Sequence, residues 1–236
     1  MSDSNTYLPR DWGLQPPYLY EGYKSTVERS PRKPLVPLPQ TLSELTGPVY
    51  GHDAVCEIDS DLTKNGALNG QPLGQRIKVT GRVTDENGRP VPNTLIEIWQ
   101  ANAAGRYVHK VDNHDAPLDP NFFGAGRFLT GPDGRYTFRS IRPGEYPWAN
   151  HHKAFRPAHI HFSLFGPSFV TRLVTQMYFP GDPLLPLDPI FLSIPDVNAR
   201  NRLISRYSVE ATDADFALGY EYDIVLRGSK ATPMEG

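Results

Sequence analysis

The sequence predicts an all-β fold: an antiparallel β-sandwich with an extended N-terminal arm, long loops and one short C-terminal helix. Three observations predict it. The 236 residues include 24 prolines and 20 glycines, too many turn formers for a helical bundle. Several short segments alternate apolar and polar residues with the period of two that a half-buried strand requires. Turn chemistry falls between those segments.

Residues 1 to about 45 lack steady periodicity and carry "QPPYLY" and "RSPRKPLVPLP", where proline blocks both a helix and a central strand. This stretch reads as an arm. Its aromatic residues Trp12, Tyr18, Tyr20 and Tyr23 predict that it packs on the domain or on a partner, because disordered tails are poor in such residues. Strands follow in "RIKVTGRVTD" and "TLIEIWQAN", joined through "ENGRPVPN". "GRFLTGPDGRYTFRSI" repeats the plan around "GPDG", and "AHIHFSLFG", "RLVTQMYF" and "YEYDIVLRG" supply the remaining strands. Six or seven short strands imply two packed sheets. The one helix is expected over residues 196 to 206, starting at Asp196, a residue type suited to capping. The chain is expected to form a single domain over 1–236, with arm and loops over 1–70 and the sandwich that bears the site over 71–236.

A net charge of −2 gives no electrostatic case for binding nucleic acid or an anionic membrane, which leaves small molecules or proteins as partners. The single cysteine, Cys56, excludes an internal disulfide framework and a cysteine-based zinc site. With no long apolar run and no charged-then-apolar N-terminus, the expectation is a soluble, cytoplasmic protein.

Four of the seven histidines fall within "EYPWANHHKAFRPAHIHF", residues 145–162. In a strand, residues i and i+2 face the same side, separated by about 6 to 7 Å of backbone, so His159 and His161 can converge on one ion. The same pair could equally be hydrogen-bonded within a sandwich. His151 and His152 are adjacent and would point apart in an extended loop. "DNHDAPLDP" adds Asp112, His114, Asp115 and Asp119, either as further ligand candidates or as a merely polar loop.

"WQANAAGRYVHK", "LDPNFFGAGRFLT", "GRYTFRSIRPGEYPW", "RPAHIHFSL" and "TQMYFPGDP", in this order, resemble the non-haem iron(III) intradiol ring-cleaving dioxygenases. Within that family the likeness is to the β subunits that act on protocatechuate, and it runs from about residue 10 to "YDIVLRG". The resemblance implies one Fe(III) per chain, held by Tyr107, Tyr146, His159 and His161. Two phenolates and two imidazoles suit a hard ferric ion better than zinc or copper. It further implies that Tyr146 leaves the metal when substrate binds, that Arg156 stabilises negative charge growing on the ring, and that Gln176 hydrogen-bonds near the metal-bound groups. Trp148 and Ile190 match positions that wall the substrate ring, and Tyr23 and Arg29 match arm positions near its substituent. The implied reaction is cleavage of protocatechuate (3,4-dihydroxybenzoate) by O2 between its hydroxylated carbons, giving 3-carboxy-cis,cis-muconate. The implied partner is a homologous α subunit in a hetero-oligomer.

The sequence departs from the β-subunit pattern at Glu145, Ala149 and Phe155, where proline, arginine and tryptophan are usual. Ala149 lies where a ring carboxylate would be handled, so 4-sulfocatechol stands as an alternative substrate. Two other readings share the strand pattern: a transthyretin-like binding sandwich with structural histidines, and an extradiol enzyme using iron(II) on two histidines and a carboxylate.

Overall fold

The alternating segments become two facing sheets in the computed structural model, which describes residues 11–36, 51–150, 155–165 and 172–235. The first sheet is built on β1 (Arg76–Thr84), whose side chains alternate strictly between core and periphery. It pairs antiparallel with β4 (Arg135–Ile141) and parallel with β10 (Leu218–Glu221) and β11 (Ile224–Val225), while β9 (Arg206–Tyr207) pairs with β10. The two parallel pairings add to the antiparallel plan. The segment "YEYDIVLRG" is split into β10 and β11 at Tyr222 and Asp223, where the Asp223 carboxylate accepts from the Arg82 amide at 2.8 Å.

The second sheet has the order β3 (Ala125–Leu129), β2 (Leu95–Trp99), β7 (His159–Phe165), β8 (Leu173–Tyr178), all antiparallel. Ile77, Val79 and Phe138 of the first sheet meet Ile96, Ile98, Ile160, Phe162 and Met177 of the second in one apolar core. Ring contacts tie the layers together: Phe128 stacks on Phe138 at 5.3 Å between centroids, and Phe138 meets Phe162 edge-on at 5.9 Å. Leu62, fully buried, plugs this core from the loops that precede β1.

Because Ile160 and Met177 point inward, their neighbours His159, His161, Gln176 and Tyr178 face the outer side of the second sheet. Short elements cover that face. A two-stranded ribbon, β5 (Tyr146–Pro147) with β6 (Phe155–Arg156), lies there, as do the helices α2 (Pro189–Leu192) and α3 (Val197–Asn201). Tyr178, Leu185, Phe191, Ile194, Ala199 and Leu203 form a second apolar cluster beneath the helices.

The helix expected over 196–206 is shorter than its sequence pattern. Asp196 caps it as expected, its carboxylate accepting from the Ala199 amide at 2.8 Å, but the helix ends at Asn201. The reason is tertiary: Tyr178 of β8 donates to the Leu203 carbonyl and accepts from the Ser205 amide, both at 2.8 Å. Those bonds cover one end of the edge strand and draw the chain out of helical geometry. α1 (Thr26–Arg29) and α2 are two further helices that the sequence pattern did not predict, each of four residues. In the described part of the arm Trp12 packs on Tyr18 at 4.8 Å, and Tyr23 packs on Trp148 at 4.8 Å.

Candidate metal and catalytic site

Strand register assembles the outer face. His159 pairs with Tyr178 and His161 with Gln176 across β7 and β8, while Trp99 of β2 pairs with His161. Trp99 lies flat on the His161 ring, 4.7 Å between centroids and 5° between planes, which fixes the ring's tilt. The His159 and His161 rings meet at 4.8 Å.

The two tyrosines arrive on loops that must approach closely, and two glycines permit it. Asn102 folds the first loop, its side-chain oxygen accepting from the Ala104 and Arg106 amides at 2.9 and 3.0 Å. At Gly105, with φ +77°, a Cβ would sit 2.1 Å from the Glu145 carbonyl oxygen, and at Gly144 it would sit 2.5 Å from the Ala103 oxygen. Seated this way, Tyr107 and Tyr146 meet edge to face at 5.2 Å, Tyr146 lies 5.5 Å from His159, and Tyr107 lies 6.4 Å from His161. The four rings therefore converge. Asp112 of the acidic loop is no part of the cluster: its carboxylate accepts from the Tyr107 amide at 2.8 Å and so anchors the tyrosine. Asp119 likewise accepts from the Leu73 and Asn121 amides.

The polar atoms at the centre suit a metal. Tyr107 Oη is buried and has no hydrogen-bond partner among the described residues. Burial, reinforced by the neighbouring Tyr146, pushes its pKa well above that of an ordinary phenol. Such a hydroxyl is costly to leave unmet unless a cation takes its oxygen. His159 Nδ1 lies 2.7 Å from the Pro157 carbonyl, which only accepts, so Nδ1 carries the proton and Nε2 keeps its lone pair. Burial, with the Arg156 cation beside it, holds the His159 pKa well below the usual imidazole range. His161 Nδ1 lies 2.9 Å from Glu235 Oε2, which only accepts, so Nδ1 carries a proton. Two imidazoles and two phenols can hold one hard cation. Among the described residues no three of His, Cys, Asp and Glu come together as a metal-holding group, so the two-histidine, one-carboxylate set of the extradiol reading is not formed.

Arg156 sits beside the rings, with Nη1 3.1 Å from His159 Nε2 and 3.3 Å from Tyr146 Oη. A bare guanidinium there would repel a metal, but Asp188 neutralises it: Nε reaches Oδ1 at 3.2 Å and Nη2 reaches Oδ2 at 2.8 Å. Both side chains are almost fully buried, 2% and 0% exposed. Gln176 Oε1 accepts from Arg156 Nη2 at 2.6 Å and from the Tyr178 hydroxyl at 2.8 Å, which ties the strand to the guanidinium.

Of the remaining predicted residues, Trp148, Tyr23 and Arg29 form a chain of ring contacts leading from Arg156. The Arg156 guanidinium lies 5.2 Å from the Trp148 ring, Trp148 packs on Tyr23, and Arg29 lies 4.7 Å over Tyr23. Ile190 is buried at the start of α2, and its amide is 3.4 Å from Asp188 Oδ1. Ala149 is exposed, as are Glu145 and Phe155, which line a cavity of about 470 Å³ together with Pro183, Leu184 and Leu187. His151 and His152 lie outside the described residues.

Sequence reasoning missed Trp99, Tyr178, Asp188 and Glu235. Tyr178 was open to discovery, since "QMY" places Gln176 and Tyr178 on one strand face as H-x-H does for the histidines. Asp188 precedes Pro189 and reads as a helix cap, which it also is. Glu235 gave no local signal.

The chain also matches known protein families. The family described as "Dioxygenase" matches residues 45–228, and the "Protocatechuate 3,4-dioxygenase beta subunit N terminal" family matches residues 8–41. The protocatechuate 3,4-dioxygenase beta chain of Burkholderia cepacia is 62% identical over 234 residues, covering 99% of each chain. The hydroxyquinol 1,2-dioxygenase of Rhizobium sp. (strain MTP-10005) is 36% identical over 160 residues, 63% of this chain and 51% of that one. Among solved structures, hydroxyquinol 1,2-dioxygenase from Pseudomonas putida DLL-E4 superposes with a TM-score of 0.52 at 26% identity, covering 85% of this chain and 69% of that one. 3-Chlorocatechol 1,2-dioxygenase from Rhodococcus opacus 1CP shares the fold, with a TM-score of 0.55 at 24% identity over 78% and 72% of the two chains. A sandwich whose outer face gathers two tyrosines and two histidines, with a full-length relative at 62% identity, places the chain in the intradiol ring-cleavage dioxygenase family, on its protocatechuate 3,4-dioxygenase β-chain branch.

Proposed function

We propose that the chain is the iron-bearing β subunit of a protocatechuate 3,4-dioxygenase, cleaving protocatechuate with O2 to 3-carboxy-cis,cis-muconate. The observation that carries the reading is the convergence of the Tyr107, Tyr146, His159 and His161 rings at the buried Tyr107 oxygen, which has no hydrogen-bond partner among the described residues. The family uses iron, and these four side chains would hold one ferric ion. That ion would supply Lewis-acid chemistry toward a catechol and dioxygen.

The chain's own residues divide the remaining work. Tyr146, whose Oη lies 3.3 Å from Arg156 Nη1, would take a proton from a substrate hydroxyl on Oη, the role that the resemblance to the family implies. Tyr107, anchored by Asp112, stays. Arg156 Nη1 is preorganised by Asp188 and Gln176 to donate to negative charge as it develops on the ring oxygens. Trp148 and Ile190 hold the ring in place, while Tyr23 and Arg29 face its substituent. The β-chain relative points to an α-subunit partner in a hetero-oligomer, with a small aromatic diol and O2 as the other reactants. No helix among the described residues is long and apolar enough to cross a membrane, and the exposed, free Cys56 suits a reducing cytoplasm.

The exposed Ala149 keeps a second substrate, 4-sulfocatechol, in play for the same chemistry. Oxygen uptake by the chain co-expressed with its α partner, on protocatechuate, 4-sulfocatechol, catechol and hydroxyquinol side by side, tests the reading. The expected result is the highest kcat/KM on protocatechuate with a muconate product. A yellow semialdehyde product, or no uptake by iron-loaded protein on any of the four, would refute it.

A further inference from the structure

The C-terminal segment reaches the site from the far end of the sequence. Thr232 exchanges bonds with Val225 (amide to Val225 carbonyl at 2.8 Å, Oγ1 accepting from the Val225 amide at 3.0 Å). Thr175 Oγ1 donates to the Pro233 carbonyl at 2.7 Å, and the Glu235 amide donates to the Val174 carbonyl at 2.9 Å. The segment thus covers the free edge of β8, and Met234 is tied to the arm through its amide and Gln15 Oε1 at 2.7 Å. Held there, Glu235 Oε2 accepts from His161 Nδ1 and from Gln176 Nε2, each at 2.9 Å.

We propose that Glu235 is a positioning residue of the site, acting on a proposed metal ligand and on the Arg156 network through one carboxylate oxygen. The inference rests on the functional reading above. A carboxylate only accepts, so it holds the Nδ1 proton of His161 toward itself and turns the Nε2 edge of the ring away from it. The Trp99 stack sets the ring's plane, and Glu235 sets its rotation within that plane. The second bond fixes the Gln176 amide: Nε2 must face Glu235, so Oε1 must face Arg156 and Tyr178. Without Glu235 the Gln176 Nε2 loses its acceptor, and only Arg156 and Tyr178 hold the amide's orientation. One oxygen thereby couples a ligand's donor strength to the orientation of the charge-stabilising arginine.

Glu235→Ala and Glu235→Gln, each in the full chain with its α partner, test this by iron retention against a competing chelator and by the visible tyrosinate-to-iron band. Loss of such a partner typically costs 10- to 100-fold in metal affinity, so Glu235→Ala should retain iron about that much more weakly. Its band at saturating iron should move to longer wavelength as His161 donates less. Glu235→Gln keeps an acceptor without the charge and should fall between Glu235→Ala and the native chain. Glu235→Ala with native retention and an unmoved band would overturn the inference while leaving the iron site intact. A native chain that binds no iron would instead overturn the site reading and this inference with it.

Discussion

Replacing Tyr107 by phenylalanine should have opposite effects on the iron-free and iron-loaded protein. The variant keeps the ring, its edge-to-face contact with Tyr146 and the Asp112 anchor on the backbone, and removes only Oη. In the iron-free protein that oxygen is buried and has no hydrogen-bond partner among the described residues, a state that costs about 1–3 kcal/mol. Its removal should therefore stabilise the iron-free chain by about that amount, a rise of roughly 2–12 °C in Tm for a chain of this size. In the iron-loaded protein the same change deletes a proposed ligand, so the extra stability conferred by iron should shrink. Urea unfolding of both proteins, stripped and loaded, reads the two signs. A stripped Tyr107→Phe chain less stable than the stripped native chain would refute the reasoning, because Oη would then have a partner worth keeping.

Asp188→Asn leaves Arg156 buried without its counter-charge and should destabilise the protein by about 3–5 kcal/mol, measurable as a fall in the urea midpoint; a change below about 1 kcal/mol would mean the pair is not the guanidinium's main support. Gly105→Ala puts a Cβ against the Glu145 carbonyl at a left-handed φ, so the Tyr146 loop must shift; kcat should fall more than 10-fold while far-UV circular dichroism stays native. Hydrogen bonds from Lys78 and then Arg139 hold the Asp213 carboxyl below its ordinary pKa of 3.8. The folded state binds that proton less tightly than the unfolded one, so the contribution is full above about pH 4 and fades as pH falls further. At this partly exposed site Asp213→Asn should cost at most about 1 kcal/mol at pH 7, and acid titration should show the gap to native closing toward pH 3.

The parts of the site that were legible in the sequence are those set by local geometry. H-x-H lies on a strand with Ile160 in the core, so both imidazoles must share the outer face, and alternation alone places them. The strands and turns were legible for the same reason. What was hidden depends on distant pairings. Nothing near Glu235 announces that it meets His161, because that contact depends on where the chain crosses the edge of β8. The acidic loop offered metal ligands by composition, yet Asp112 spends its carboxylate on a backbone amide. The helix after Asp196 was truncated by bonds to Tyr178, a tertiary demand that helix propensity cannot register.

Two tyrosines and two histidines are proposed to hold one ferric ion on the outer face of the second sheet. Titration of the iron-free chain with ferric iron, followed by visible absorption, tests it most directly. A tyrosinate-to-iron band should grow and break at one iron per chain, and it should be absent from the Tyr107→Phe, Tyr146→Phe double variant. A colourless native protein at stoichiometric iron, or an unchanged band in the double variant, would contradict the account.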